Sequence, residues 1–199
     1  KITNKYNQKK NTILINQIFN NKGIEINKHE TEILLEPGIN EISEIIKFNK
    51  ILLWSPNNPN LYKIKSHIKI ENKTEDKVLE TFGFREFTVK NDKFYLNDKP
   101  IYLKAAFFEG LYPVRLAYPD SKKMVIKEIT MAKNAGFNMI RPWRKPPPPM
   151  WLKIADSLGI LTVGSMAIEC MDMPIETPYL PRRVENEITE SILRDRNHV

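Results

Sequence analysis

The spacing of apolar residues changes midway along this 199-residue sequence, and that change limits the folds open to it. Between residues 62 and 70, mostly apolar residues alternate with basic ones, which is the period of a strand with one buried and one solvated face. Beyond residue 120 the apolar residues recur every three or four positions, which is the period of an amphipathic helix. The sequence therefore predicts two modules of different architecture.

Short antiparallel strands are predicted for the first half. Apolar runs at residues 13–15 and 24–26 are separated from their neighbours by turn-forming residues at 20–23 and 36–38. Several short strands with turns at roughly ten-residue spacing are typical of a β-sandwich. We therefore expect an antiparallel sandwich over residues 1–88.

The second half begins with a predicted hairpin and a predicted helix. Residues 94–96 and 101–103 are expected to pair as strands around a turn at residues 97–100. Asp120 or Ser121 can cap the helix that follows, and a glycine after its last apolar position ends it. The apolar face of this helix is Val125, Ile129 and Ala132, with Gly136 as its stop.

Two more strand and helix pairs follow along the chain. An apolar strand at residues 139–140 precedes a helix that starts at Pro148 and Pro149, and the run at residues 160–163 indicates a strand covered on both faces. The expected buried stripe of the second helix is Trp151, Leu152, Ala155 and Leu158, and Gly159 ends that helix. Val184, Ile188 and Ile192 are spaced by four in a third helix over residues 181–196. Such alternation predicts parallel βα units.

Composition and missing motifs exclude several function classes. The chain has 31 Lys and Arg against 24 Asp and Glu, but these basic residues are spread thinly. We interpret them as a solvated sheet face and expect no nucleic-acid partner. No run approaches the ~20 apolar residues of a membrane span, so no membrane partner is expected. The single cysteine, Cys170, excludes an internal disulfide and a Cys-ligated zinc site, and no phosphate loop, dinucleotide fingerprint or zincin motif occurs.

The candidate site residues follow the predicted parallel strands, because the loops after such strands meet at one edge of the sheet. In the first loop, Glu109 and its aromatic neighbours could line a sugar or apolar pocket, or pack on the core. In the second, Arg141 ends a buried strand and should have a carboxylate partner, in the site or in a structural ion pair. Trp143 and Arg144 follow it. In the third, Glu169 could hold a cation or a substrate hydroxyl, or pair with an arginine.

Five segments carry a family resemblance, and they occur in a fixed order along the chain. They are Leu53-Trp54-Ser55-Pro56 with Pro59-Asn60-Leu61-Tyr62, Phe82-Gly83-Phe84-Arg85, residues 94–101, residues 134–141, and Arg194-Asp195-Arg196-Asn197-His198. In this order the sequence resembles glycoside hydrolase family 2, the group of β-galactosidases, β-glucuronidases and β-mannosidases. The resemblance covers residues 53–198.

The family's plan is a jelly-roll sandwich, an immunoglobulin-like sandwich and a (β/α)8 barrel. The resemblance implies that residues 1–88 form the immunoglobulin-like antiparallel β-sandwich. Residues 89–199 would then form the first three βα units of an incomplete (β/α)8 TIM barrel. A complete barrel needs ~200–250 residues, and the sequence opens on Lys1 rather than Met. We therefore expect a fragment, with the remainder of its own barrel as a partner.

The activity that the resemblance implies is that of a retaining exo-β-glycosidase, which hydrolyses O-glycosidic bonds in a carbohydrate substrate. A retaining mechanism uses two carboxyl groups ~5 Å apart, one as acid and base and one as nucleophile. In the family, the acid/base glutamate lies in an Asn-Glu pair just beyond the segment that ends here at His198, and the nucleophile comes later. Neither catalytic residue is therefore expected in this chain, and the chain alone is expected to be inactive.

The resemblance also implies roles for individual residues. Arg141 matches the arginine that contacts the nucleophile, Arg144 takes the place of a substrate-binding histidine of β-galactosidases, and Glu169 that of a magnesium-ligating glutamate. The companion histidine of that metal site is Met171 here, and residues 107–110 replace the family's Asn-Arg-His-Glu pattern. We therefore expect no cofactor, with Glu169 as the candidate ligand if magnesium binds.

Two alternative functions remain open on the sequence. A non-catalytic carbohydrate-binding or adhesion protein could keep the family scaffold and lose its chemistry. Sequence beyond Val199 discriminates, because an Asn-Glu pair shortly after it supports the enzyme. An inert sandwich with an unrelated α/β appendage would lack a cluster of Arg141, Trp143 and Glu169 at the strand ends.

Overall fold

The computed structural model describes residues 1–71, 73–108, 110–116, 118–142, 145–166 and 178–199. Two compact units are found, and neither is continuous in sequence. The first consists of residues 1–52 and 61–82, and the second of residues 53–60 and 83–199.

The first unit is built from antiparallel strands. They are β1 (Ile2–Asn4), β2 (Lys10–Phe19), β3 (Glu25–Leu35), β4 (Gly38–Asn40), β5 (Tyr62–Ile70) and β6 (Lys73–Phe82). Four of them form a sheet in the order β3-β2-β5-β6, and β1 pairs with β4. The strands predicted from the apolar runs and from the alternation at 62–70 are confirmed. Ile15, Ile18, Leu35 and Tyr62 are buried in this unit.

The second unit opens with a three-stranded antiparallel sheet made of β7 (Phe87–Lys90), β8 (Lys93–Leu96) and β9 (Lys99–Pro100). The turn between β8 and β9 is Asn97-Asp98, with φ of 54° and 61°. Asn and Asp tolerate this left-handed backbone, which a two-residue hairpin turn requires. The prediction of a strand at residues 101–103 is therefore wrong, since the two-residue turn brings the partner strand forward to residues 99–100.

Parallel pairing follows in the same unit. Strand β10 (Ala105–Phe108) pairs with β11 (Met139–Pro142), and β11 pairs with β12 (Leu161–Thr162). Helices α1 (Lys122–Asn134) and α2 (Pro149–Leu158) lie between these strands in sequence, and α3 (Leu180–Asp195) follows. The parallel pairing expected of βα units is thus present in the described part of the chain.

The ends of α1 and α2 follow from their sequences. The Ser121 hydroxyl accepts a hydrogen bond from Met124 N at 3.2 Å, which selects Ser121 over Asp120 as the N-cap of α1. Pro149 opens α2, where its missing N–H costs nothing. Gly159 ends α2 in the left-handed conformation, with φ of 75°. The core between helices and strands contains Val125, Ile129, Ile140, Trp151, Leu152, Ala155 and Ile160.

The apolar stripe of α3 is partly exposed, since Ile188 and Ile192 keep 38% and 56% of their surface. One expectation about burial fails. The strand at 160–163 is shorter than predicted and is buried at Ile160 and Leu161, whereas Val163 is 39% exposed. Apolar spacing predicts which face of a helix or strand is apolar. That face is buried only where another element packs against it.

Candidate functional site

The carboxyl ends of β10 and β11 lie side by side. Phe107 is in register with Arg141, and Phe108 with Pro142. We call this the carboxyl edge, defined by the ends of the two strands at Phe108 and Pro142. Loops that leave such an edge are where proteins with parallel strands and crossover helices place their binding residues.

Arg141 is the one predicted site residue whose position is described. Its side chain is exposed at the carboxyl edge, beside Phe107, which is 57% exposed. The side chain of Arg141 is exposed, so burial alone does not require a carboxylate partner for it, and that partner stays a prediction. An exposed arginine next to an aromatic ring can bind oxygen atoms of a carboxylate or a hydroxyl.

The other predicted site residues lie outside the described residues. They are Glu109, Trp143, Arg144 and Glu169, together with Met171 and Cys170. Their proposed clustering with Arg141 stays a prediction. Among the described residues, no group of three or more His, Cys, Asp or Glu side chains is arranged to hold a metal ion.

A small cavity opens at the carboxyl edge between the loops that follow β10 and β11. Its lining residues are Phe108, Gly110, Tyr112, Pro142, Lys145, Pro147, Pro148 and Trp151. Lys145 Nζ donates a hydrogen bond to Gly110 O at 3.2 Å, and burial lowers the pKa of Lys145. The two loops are thereby tied together. The apolar spacing predicts Trp151 in the buried stripe of α2 and does not indicate that it lies at this edge.

A hydrogen-bonded pair of a buried tyrosine and a half-buried carboxyl group lies between the loop after β10 and α1. The Tyr112 hydroxyl donates to Glu128 Oε2 at 3.2 Å. Burial raises the pKa of Glu128, and the hydrogen bond from Tyr112 opposes that effect. Burial also raises the pKa of Tyr112, as do the negative charges of Glu128 and Asp120. The sequence does not predict this pair, since a glutamate within a helix gives no signal of its burial.

Replacing Glu128 by glutamine should change the pH dependence of stability. Because the folded-state pKa of Glu128 lies above its ordinary value of 4.5, the stability that the neutral carboxyl contributes is present below pH 4.5 and lost as pH rises through the folded pKa. Glu128→Gln keeps an acceptor for Tyr112 and removes the titration. Urea unfolding at pH 4 and pH 7 should show the variant gaining stability over the wild type at the higher pH.

A matched control is Glu185→Gln, which removes an exposed carboxylate of α3. It should leave the pH dependence of the unfolding free energy unchanged. An equal difference between Glu128→Gln and wild type at both pH values would contradict the assignment.

A second polar cluster lies at the far end of α2. Trp54 is fully buried and its Nε1–H donates to Asp156 O at 2.8 Å. One carboxylate oxygen of Asp156 lies 2.5 Å from His198 Nδ1, and the other accepts from Val199 N at 3.2 Å. Burial lowers the pKa of Arg85, and the Asp156 charge acts in the opposite direction. Asp156 thus interacts with residues from three of the five segments that carry the resemblance: it contacts Trp54 and His198, and its charge acts on Arg85.

The side-chain ammonium group of Lys133 binds three backbone carbonyl oxygens at the same end. Its Nζ donates to Pro56 O at 2.8 Å and Gly159 O at 3.0 Å, and also to Leu158 O. The C-terminal end of α2 runs directly into the start of β12, so this cluster lies at the amino ends of the parallel strands. Residues at that end serve stability in proteins of this architecture. These segments therefore hold the second unit together.

The geometry defines a class of protein: an antiparallel β module followed by parallel βα units whose loops meet at a carboxyl edge. Among the described residues, none of the helices has the length and apolar character that a bilayer crossing requires. Comparison with known proteins then identifies the family. The model of Glycosyl hydrolases family 2 matches residues 1–85.

Two curated relatives extend the match into the second unit. "Putative beta-glucuronidase" of Formosa agariphila is 34% identical over 153 residues, which is 73% of this chain and 14% of that protein. "Beta-galactosidase" of Thermoanaerobacterium thermosulfurigenes is 30% identical over 170 residues, or 80% of this chain and 22% of that protein. The chain belongs to glycosyl hydrolase family 2.

Solved structures show the shared fold. A family 2 member from Bacteroides cellulosilyticus matches 96% of this chain with a TM-score of 0.87 and 22% identity, using 25% of its own length. The β-glucuronidase of Bacteroides uniformis matches 98% with a TM-score of 0.83 and 24% identity, using 24% of its length. The chain thus spans between 14% and 25% of the length of these four proteins.

Proposed function

We propose that the chain is part of a retaining exo-β-glycosidase that hydrolyses O-glycosidic bonds in carbohydrates. The observation that carries the proposal is the match to two glycosidases over 73% and 80% of the chain. These alignments are longer than either compact unit, so they include residues of both. The carboxyl edge, with its exposed Arg141, supplies a place where a sugar oxygen could be bound.

The fold proposal refines the two observed units. The first would be the immunoglobulin-like sandwich expected over residues 1–88, which its antiparallel strands support. The second would be the start of the (β/α)8 barrel expected over residues 89–199, which the parallel order β10-β11-β12 supports. The exposed stripe of α3 and the exposed Phe107 are then surfaces that the remainder of the barrel would cover.

The catalytic carboxyl pair is proposed to lie outside residues 1–199. Arg141 would contact the nucleophile from the end of β11, because its guanidinium is exposed and can pair with a carboxylate brought to the carboxyl edge. Glu109, Trp143 and Arg144 would support the substrate site, and Glu169 would be the residue to hold magnesium if that ion binds. Metal is not required by a retaining mechanism with two carboxyl groups.

The 199-residue chain alone should not turn over glycosides. A panel of nitrophenyl β-glycosides, including the β-glucuronide and the β-galactoside, should show rates no higher than buffer, because the acid and the nucleophile of the reaction are both missing. Turnover above buffer that follows the concentration of the purified chain would contradict the placement of the catalytic residues.

The product of the full reading frame tests the glycosidase proposal itself. It should hydrolyse at least one substrate of the panel, and proton NMR of the first product formed should show retention of the anomeric configuration. A full-length product that binds carbohydrate without hydrolysing it would overturn the proposal in favour of the carbohydrate-binding alternative. Inversion of configuration would overturn the mechanism and leave the glycosidase class intact.

A further inference from the structure

One face of the sheet β3-β2-β5-β6 carries a row of basic side chains. Alternate residues of a strand point to the same side, so β5 contributes Lys63, Lys65, His67 and Lys69 to this face. Lys77 of β6 is directly opposite His67 and belongs to the same face. We call these five residues the basic stripe. All of them lie in the first unit.

The charge of the basic stripe is not balanced by its neighbours in register. The residues of β6 opposite Lys63, Lys65 and Lys69 are uncharged, namely Thr81, Leu79 and Thr74. None of the four lysines makes an ion pair with another residue that the structure describes. Glu30 and Glu32 share the face but lie on β3, across β2 from β5. Like charges on one face of a sheet repel one another, so an anionic partner would stabilise this surface.

His67 lies within the basic stripe and its titration responds to the stripe's charge. Burial lowers the pKa of His67, and the positive charges of Lys65, Lys69 and Lys28 lower it further. Glu30 acts in the opposite direction, but its carboxylate is already paired, because Glu30 Oε1 lies 2.6 Å from Lys28 Nζ. A positive potential at an exposed surface attracts anions and raises their local concentration.

The shape of the basic stripe indicates the kind of anion that fits it. Residues 63–69 of an extended strand span about 20 Å. A small anion neutralises part of such a row, whereas a linear polymer with one negative charge per repeating unit can follow all of it. Leu79, opposite Lys65, is 62% exposed and offers an apolar surface to the C–H face of a sugar ring. The stripe and its partners on β6 include no aromatic ring, which single-stranded nucleic acids use for stacking.

We propose that the basic stripe is a docking surface for an acidic polysaccharide, a linear chain whose sugars carry carboxylates. The ammonium groups of the lysines pair with successive carboxylates, and the sugar rings lie along the exposed face of β5 and β6. The choice of a polysaccharide as the source of the negative charges rests on the proposed function. The surface itself belongs to the first unit and is separate from the carboxyl edge of the second.

The first measurement follows the imidazole proton signals of the whole chain during pH titrations by NMR. The probe is polygalacturonate, which carries one carboxylate per sugar, and the control ligand is dextran, which is uncharged. Polygalacturonate should raise the pKa of His67, because nearby negative charge favours the charged imidazole, and dextran should not. His29 is the internal control, since it lies on the other face of the same sheet, in register with Asn16. Its titration should be unchanged by either polymer.

The second measurement compares two double variants by calorimetry at physiological ionic strength. Lys65→Gln with Lys69→Gln should weaken polygalacturonate binding by about fivefold, the loss expected from two exposed ion pairs. Lys123→Gln with Lys127→Gln is the matched control, because it removes the same charge from exposed residues of α1 in the second unit. Its affinity for polygalacturonate should equal that of the wild type.

Four results would overturn the proposal. Absence of binding removes the docking surface, and binding that leaves His67 unchanged places the polymer elsewhere. An equal loss in both double variants would assign the attraction to the net charge of +7. Tighter binding of single-stranded oligothymidylate at the same ionic strength would replace the polysaccharide by a nucleic acid. These experiments measure binding without hydrolysis, so their failure is distinct from failure of the glycosidase proposal, which turnover decides.

Discussion

Gly159→Ala should lower the free energy of unfolding by about 4 kcal/mol, which combines left-handed backbone strain with steric overlap. Gly159 has a φ of 75°, and a Cβ atom there would lie 2.5 Å from Pro56 O and 3.1 Å from Lys133 Nζ. The backbone carbonyl cannot move away without breaking its bond from Lys133. Urea unfolding followed by far-ultraviolet circular dichroism measures the loss.

Gly136→Ala separates the two causes. Gly136 follows α1 with a φ of 87°, yet a Cβ atom there would meet nothing within 4 Å. This variant should therefore lose only the free energy of unfolding that left-handed backbone strain costs, about 1–2 kcal/mol. Equal losses for the two variants would show that the approach of Pro56 to Gly159 is not tight in solution.

Trp54→Ala should cost about 4 kcal/mol of unfolding free energy, a value typical of removing a large buried aromatic side chain. The residue is 0% exposed, and its N–H and its carbonyl both make bonds within the second unit. The alanine variant loses the bond to Asp156 O and leaves a large cavity. Urea unfolding monitored by circular dichroism is suitable, because it does not depend on the deleted fluorophore.

Tyr102→Ala is the matched control for that experiment. Tyr102 is an aromatic residue of the same unit that is 81% exposed, and its backbone carbonyl accepts a hydrogen bond from Asn138 that the alanine variant keeps. Its removal should change stability by no more than about 0.5 kcal/mol. A loss for Trp54→Ala as small as that of the control would mean that the 53–60 segment does not pack in solution as described.

Local structure was predictable because its causes are local. A serine that caps α1, a proline that opens α2 and glycines that follow both helices are signals contained in a few neighbouring residues. The alternation at β5 likewise needs no knowledge of the partner strand. The hairpin register was wrong because Asn97-Asp98 completes the turn in two residues, and the composition of the segment fits a longer turn equally well.

Burial of the site residues depends on distant parts of a chain, which a local pattern does not contain. Arg141 was expected to be buried because its strand is apolar, and it is exposed although both of its neighbours in β11, Ile140 and Pro142, are buried. Glu128 gave no signal, since its hydrogen-bond partner is a tyrosine sixteen residues earlier. The family resemblance was found because its segments keep their order, although it did not show that three of them meet at Asp156.

The 53–60 segment determines what can be inherited as one module. The first unit is interrupted after Leu52 and resumes at Leu61, and the eight residues between them belong to the second unit. A gene segment that encodes only residues 83–199 would omit the buried Trp54 and the carbonyl that Lys133 binds. Recombination at the apparent module boundary would therefore transfer an incomplete βα module, so selection should favour exchanges that move both units together.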